Sequence, residues 1–228
     1  YFSGIENRER AMPVTSEPLF NPGTLPAMLA IEPIRDSRSL TYTFPIPVVR
    51  EYYKSRPLNY IGNILGHEGE GSLLSLLRER GWANGLSAGG GLSYPDNATF
   101  SVSVGLTEEG VNRIDEISAQ LFQFIELAKQ EGIQEWLFAE QKVMADLAFQ
   151  FQEPGQPVGT VSGMTRRLQE YPPAELITAS FVYENFDPNL TQTILDSLRP
   201  DNALLTFTSR TVESDRVDPM YGTEYSLQ

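Results

Sequence analysis

The sequence predicts an α+β fold, an antiparallel β-sheet with helices packed on one face. Three observations carry the prediction. Ala98, Phe100, Val102, Val104 and Leu106 alternate strictly with small polar residues and glycine, the period of a half-buried strand. Val111, Ile114, Ile117, Leu121, Ile125 and Ala128 then keep the spacing of one helical face. Strand patterns and helix patterns come in runs, without the regular βαβ alternation of a parallel sheet.

The elements follow in order. Residues 1–27 are polar, punctuated by Pro13, Pro18, Pro22 and Pro26, and read as an extended linker. Residues 28–35 and 38–46 read as an antiparallel strand pair joined at Asp36-Ser37, with Leu40, Tyr42 and Phe44 on the buried side and Pro45 and Pro47 ending it. Pro57 suits a first helical position; Leu58, Ile61 and Leu65 share a face, and Gly66 stops the helix. Ser72 is an N-cap for a second short helix. Leu73, Leu76 and Leu77 form its buried side, Arg78 and Arg80 suit its C-terminal dipole, and Gly81 ends it.

Residues 84–94 read as a strand with a glycine-rich interior, closed by the Pro95-Asp96-Asn97 turn. Thr107 is expected to cap the long helix, with Glu108 and Glu109 in its first turn and Gly132 at its end. Trp136, Val143, Leu147 and Phe151 mark another helix, broken at Pro154-Gly155-Gln156-Pro157. Val158, Val161, Met164, Leu168 and Tyr171 give a third before Pro172-Pro173. Shorter helices are expected over 174–185 and over 187–198, the latter capped by Asp187 with Pro188 at its first position. Residues 203–209 read as a closing strand. The organisation is a linker over 1–27, one α+β domain over 28–211 and a polar C-terminal extension on the surface over 212–228, with no internal repeat.

Composition bounds the function. The 228 residues are long enough for a sizeable core, and 40% hydrophobic with 21% charged is ordinary for a globular protein. A formal net charge of −13 argues against a nucleic-acid partner, which needs a basic face. No run of about 18 apolar residues occurs, so no membrane-spanning helix is expected. The absence of cysteine excludes disulfides, thiolate nucleophiles and cysteine-based zinc sites. The chain begins at Tyr1, without a methionine or a signal-peptide pattern, and reads as the middle of something longer.

The densest chemistry lies in Gly66-His67-Glu68-Gly69-Glu70-Gly71. A local zinc site is disfavoured, because a catalytic zinc needs three protein ligands and His67 is the only histidine. A Ser-His-Asp triad lacks its Gly-x-Ser-x-Gly elbow, and the glycines complete neither a P-loop nor a dinucleotide fingerprint. Glu108 and Glu109 are most simply dipole compensation, and Trp82 and Trp136 core residues. Spacing alone therefore gives no catalytic residue. A glycine-rich strand beside a glycine-rich turn can bind with its backbone, accepting an extended peptide at a sheet edge. The same glycines also serve tight turns and close helix–strand packing.

One resemblance goes further. Leu65-Gly66-His67-Glu68-Gly69-Glu70-Gly71-Ser72-Leu73-Leu74-Ser75 with Arg80-Gly81-Trp82-Ala83-Asn84 closely resembles the second domain of the insulinase/pitrilysin (M16) zinc metallopeptidases. The likeness continues through Leu106-Thr107-Glu108-Glu109-Gly110, Gln134-Glu135-Trp136, Tyr171-Pro172, Leu198-Arg199-Pro200-Asp201-Asn202 and Tyr221-Gly222-Thr223-Glu224-Tyr225. It implies the metal-free α+β unit of a large four-domain, single-chain enzyme, of the M16/LuxS-like metallohydrolase type. In that family zinc is held in the first domain by His-x-x-Glu-His and a distal glutamate, a motif this chain lacks. The resemblance thus implies a non-catalytic piece that walls the peptide chamber, with Zn2+ in a partner catalytic domain of the same or another chain. It also implies an exosite that anchors a peptide N-terminus, at Gly66, Glu68, Leu86, Ala88 and Gly90, with Glu68 meeting the amine. Ala88 and Gly90 depart from some relatives in side chain, which leaves backbone bonding intact. The alternative is an inactive M16-type subunit used for assembly. A periplasmic or secreted location is the further expectation from the family.

Overall fold

In the computed structural model, residues 4–6, 8–9, 17–153 and 155–228 are described, so much of the expected linker and Pro154 of the expected helix break lie outside them. The elements run β1 (Ala27–Glu32), β2 (Ser39–Ile46), α1 (Pro57–Leu65), α2 (Leu73–Glu79), β3 (Ala83–Ser93), β4 (Ala98–Leu106), α3 (Ile114–Glu131), α4 (Glu135–Gln150), α5 (Pro157–Arg167), α6 (Pro188–Asp196), β5 (Leu204–Thr208), β6 (Arg216–Val217) and β7 (Glu224–Leu227). The strands form one sheet in the order β3-β4-β2-β5-β1-β7-β6, antiparallel except where β1 pairs with β5.

Strand alternation decides where the core sits. Leu40, Tyr42 and Phe44 of β2 lie opposite Val104, Val102 and Phe100 of β4, and all six are fully buried. Onto this face pack Tyr60, Ile61 and Leu65 of α1, Ile117, Leu121 and Ile125 of α3, and Ile194 of α6. The other face carries hydroxyls, with Thr41 Oγ1 2.9 Å from Ser103 Oγ. Helices on one face and small polar side chains on the other give the α+β layering the sequence predicts. Tyr42 keeps its phenol hydrogen-bonded to Ser118 Oγ at 2.6 Å, and burial pushes its pKa far above the ordinary value.

Four expectations need correction. β1 and β2 are not a hairpin, because β5 lies between them, pairing antiparallel with β2 and parallel with β1. Alternation within a strand fixes its buried face but not its neighbour. The C-terminal segment is not merely a surface tail, since β7 pairs with β1 and covers backbone that would otherwise be an open edge. Thr107 caps only a 3-10 turn over Gly110–Asn112, its Oγ1 accepting from Gly110 N at 3.0 Å, and the long helix starts at Ile114. Residues 174–185 do not form an α-helix beyond a 3-10 turn at Pro173–Glu175. There Arg56 donates through its guanidinium to the carbonyls of Ala179 and Val182, groups that a continuous helix would use internally. Asp187 does cap α6, accepting from Leu190 N at 2.9 Å.

Two clamps hold the helical layer. The first is close approach: a β-carbon on Gly62 of α1 would stand 2.8 Å from the backbone oxygen of Ala88 in β3. The second joins residues 53–54 to Glu175, where Tyr53 Oη donates at 2.5 Å and Lys54 Nζ at 3.0 Å, while Lys54 also meets Glu184 at 3.1 Å. The Tyr53 hydrogen bond, with Lys54 second, holds the Glu175 carboxyl below its ordinary pKa.

Gly62→Ala is expected to destabilise by about 1–3 kcal/mol, since backbone cannot yield to the new carbon. Gly159→Ala on α5, where nothing lies within 4 Å, should stabilise by about 0.5–1 kcal/mol; urea titration of both variants checks the contrast. Because the Glu175 pKa is depressed, its contribution is present above the ordinary carboxylate pKa and is lost as pH falls through the lowered value. Glu175→Gln should therefore flatten the acid side of the stability–pH curve and leave its slope near neutrality unchanged.

Candidate functional site

The site is built from an edge strand and the turn beside it. β3 ends the sheet, with β4 on one side and, among the described residues, no strand on the other. Antiparallel pairing alternates the direction of backbone groups along a strand. Leu106 N donates to Arg38 O, so even-numbered residues of β4 face β2 and odd-numbered ones face β3. In β3 the partners of Gly105, Ser103 and Ser101 are Gly85, Ser87 and Gly89, which direct their N–H and C=O into the sheet. Leu86, Ala88 and Gly90 accordingly direct theirs away from β4, where Gly62 stands against Ala88 O and Gly66 against Ala88 N, while their side-chain positions face α1 and the core.

The edge is bounded at both ends. Arg78 Nη2 donates to Asn84 O at 3.1 Å, and Leu92 N turns inward to Thr99 Oγ1 at 2.9 Å. Three outward pairs lie between. α1 roofs the first part, so Leu86 is buried and Ala88 half-buried, whereas Gly90 is exposed. A β-carbon on Gly90 would meet Leu58 Cδ1 at 2.8 Å, and one on Gly66 would stand 3.5 Å from Ala88 N. Glycine at 62, where a β-carbon would stand 2.8 Å from Ala88 O, is what lets the helix lie directly against the edge strand.

The turn has its own internal order. Gly66 N closes α1 on Gly62 O at 2.8 Å, so that N–H is already committed. His67 Nδ1 accepts from Gly69 N at 3.2 Å, a fold-back that brings the ring to 2.6 Å from where a β-carbon at 69 would stand. Gly71 has φ +80, in the left-handed region, and delivers the chain to Ser72, whose Oγ accepts from Ser75 N at 3.1 Å to start α2. Glu68 lies exposed on this turn, its Oε2 3.3 Å from Arg78 Nη1. Behind α1 and the turn opens a cleft of about 1020 Å³, walled by Asn63, His67, Glu70, Phe124, Glu140 and Tyr183 among others, with no lysine or arginine in its lining.

The residues do not fit a zinc ion. Among the described residues no group of three or more His, Asp or Glu comes together as a ligand set, and the imidazole of His67 is turned onto its own backbone. The structure sets Gly66, at the end of α1, beside Ala88 and Gly90 beside Leu58 near its start, places Leu86 in the same strand and sets Glu68 on the adjoining turn. Reading the sequence missed Arg78, assigned there only to the helix dipole. A ten-residue separation across a turn carries no periodic signal. Trp136 is also not a core residue: it is 64% exposed, and with Val143, Met144 and Leu147 it leaves an apolar stripe on α4 uncovered, only Phe138 being buried. Trp82 does pack partly against the core, under the Arg80 guanidinium at 4.9 Å.

Comparison with known proteins bears on this geometry. Residues 1–143 match the family model described as the peptidase M16 inactive domain, and residues 149–228 that of the middle or third domain of peptidase M16. The chain is 40% identical to the insulin-degrading enzyme of Homo sapiens over 229 aligned residues, covering 100% of this chain and 22% of that protein. It is 34% identical to the A-factor-processing enzyme of Saccharomyces cerevisiae, covering 99% of this chain and 22% of the yeast protein. The crystal structure of pitrilysin superimposes with a TM-score of 0.85 over 89% of this chain and 22% of that one, at 19% identity, a likeness of fold.

Because Ala88 directs its N–H outward and Ser87 directs its own to β4, proline should separate the two. Ser87→Pro is expected to cost about 1–3 kcal/mol by leaving a ladder carbonyl unpaired, and Ala88→Pro markedly less, as read from urea midpoints.

Proposed function

This chain belongs to the M16 peptidase family, and from that premise we propose that it is the metal-free, non-catalytic domain of a larger M16 zinc metalloendopeptidase. Its task is to hold the N-terminal end of an extended peptide by strand addition along Leu86, Ala88 and Gly90 and to form part of the chamber wall. The catalytic zinc belongs to a different domain of that enzyme, since this chain offers no ligand set among its described residues. The observation that carries the reading is the bounded open edge of β3 beside an exposed carboxylate. Three outward N–H/C=O pairs match about five residues of extended chain. Main-chain hydrogen bonds accept any sequence there, and Glu68 adds a preference for a free ammonium group.

A second reading has an observation of its own. The uncovered apolar stripe of α4 suits contact with another part of a larger molecule, so assembly is a role that this same domain can serve alongside peptide capture.

The test uses the full-length protein that carries this chain and a decapeptide labelled at its C-terminus, with its N-terminus either free or acetylated. The wild type should prefer the free amine. Glu68→Gln should lower affinity for the free peptide by about two- to fivefold, the range for an exposed ion pair, and leave the acetylated peptide unchanged. Equal losses on both peptides would overturn the role of Glu68, and undiminished binding by Ala88→Pro would overturn strand addition.

A further inference from the structure

We propose that Arg78 is a positioning residue for this site, fixing the Glu68 carboxylate against the start of the β3 edge; the inference rests on the anchoring role proposed above. One guanidinium makes both contacts, Nη1 to Glu68 Oε2 at 3.3 Å and Nη2 to Asn84 O at 3.1 Å. Glu68 belongs to the turn and Asn84 to the strand, and among the described residues no other side-chain hydrogen bond of either residue joins the turn to β3. Arg78 itself stands on α2, whose Leu73, Leu74 and Leu77 are anchored in the core, so its backbone is a fixed base for the bridge.

The arrangement matters because Glu68 is otherwise free to move. Its side chain is 63% exposed on a glycine-flanked turn, where an isolated carboxylate would sample many rotamers. The guanidinium fork holds one oxygen and leaves Oε1 without a partner among the described residues, available to an ammonium group. The second arm occupies the Asn84 carbonyl, so the first outward pair open to a docked strand is that of Leu86. Arg78 therefore sets both the register at which strand addition begins and the place where the peptide amine meets its counter-charge.

The opposite consequence is also physical: Arg78 offsets part of the negative charge that attracts the amine. The two effects have opposite signs, and the free-to-acetylated affinity ratio in the full-length protein separates them. Arg78→Gln should lower that ratio by about twofold or more, towards the value of Glu68→Gln, with an unchanged urea midpoint. Arg78→Lys keeps the charge without the two-armed fork and should not restore the ratio. The double variant should match Glu68→Gln alone, because positioning has no object once the carboxylate is gone. A ratio that rises in Arg78→Gln, stays at the wild-type value, or returns in Arg78→Lys overturns the inference while leaving the anchoring role intact. A wild type indifferent to acetylation removes the anchoring role, and this inference with it.

Discussion

The approach of α1 to the edge strand β3 is the constraint on which the rest of the site depends. A helix normally stands well off a sheet, at a distance set by intervening side chains. Here the missing β-carbon of Gly62 lets the helix come down onto the backbone of Ala88, with Gly66 and Gly90 in contact beside it. The entropic cost of so many glycines is offset by a core in which Tyr60, Ile61 and Leu65 pack against the sheet from the same helix. The strand is held from above and from β4, while its remaining edge stays open.

The same constraint sets what the edge can do. With α1 fixed, the turn after it must emerge beside β3, and the short helix α2 carries Arg78 back towards both. The backbone pairs between Asn84 and Leu92 are left as a short open stretch, closed at one end by a guanidinium and at the other by the Thr99 hydroxyl. A long flat edge would invite uncontrolled pairing with other chains, and a short, roofed and bounded one limits this hazard. The acidic, cation-free lining of the neighbouring cleft adds a preference against anionic ligands.

The helical layer is less uniform than its sequence suggests. α3 buries Ile117, Leu121 and Ile125 as its spacing predicts, yet α4, with an equally apolar sequence, leaves most of its large side chains in solvent. Periodicity identifies an apolar face and says nothing about whether this chain or another surface covers it. Membership in a family whose relatives are more than four times as long supplies a reason why a face can be left bare within these 228 residues.

The sequence by itself determined the α+β class, the strands β3 and β4, the capped start of α6 and the glycine-dense turn, because each depends on residues close together in the chain. The resemblance to the M16 family pointed to positions 66, 68, 86, 88 and 90, which spacing alone did not single out. Only the tertiary structure decided that β5 separates β1 from β2, that β7 closes the far side of β1, and that β3 is the open edge. It alone decided that residues 174–185 give the carbonyls of Ala179 and Val182 to Arg56 instead of forming an α-helix, and that Arg78 bridges Glu68 to Asn84. Each of these is a matter of tertiary placement that local sequence preference does not encode. Local preference ranks what a segment can form; which segment lies beside it is settled by the packing of the whole core.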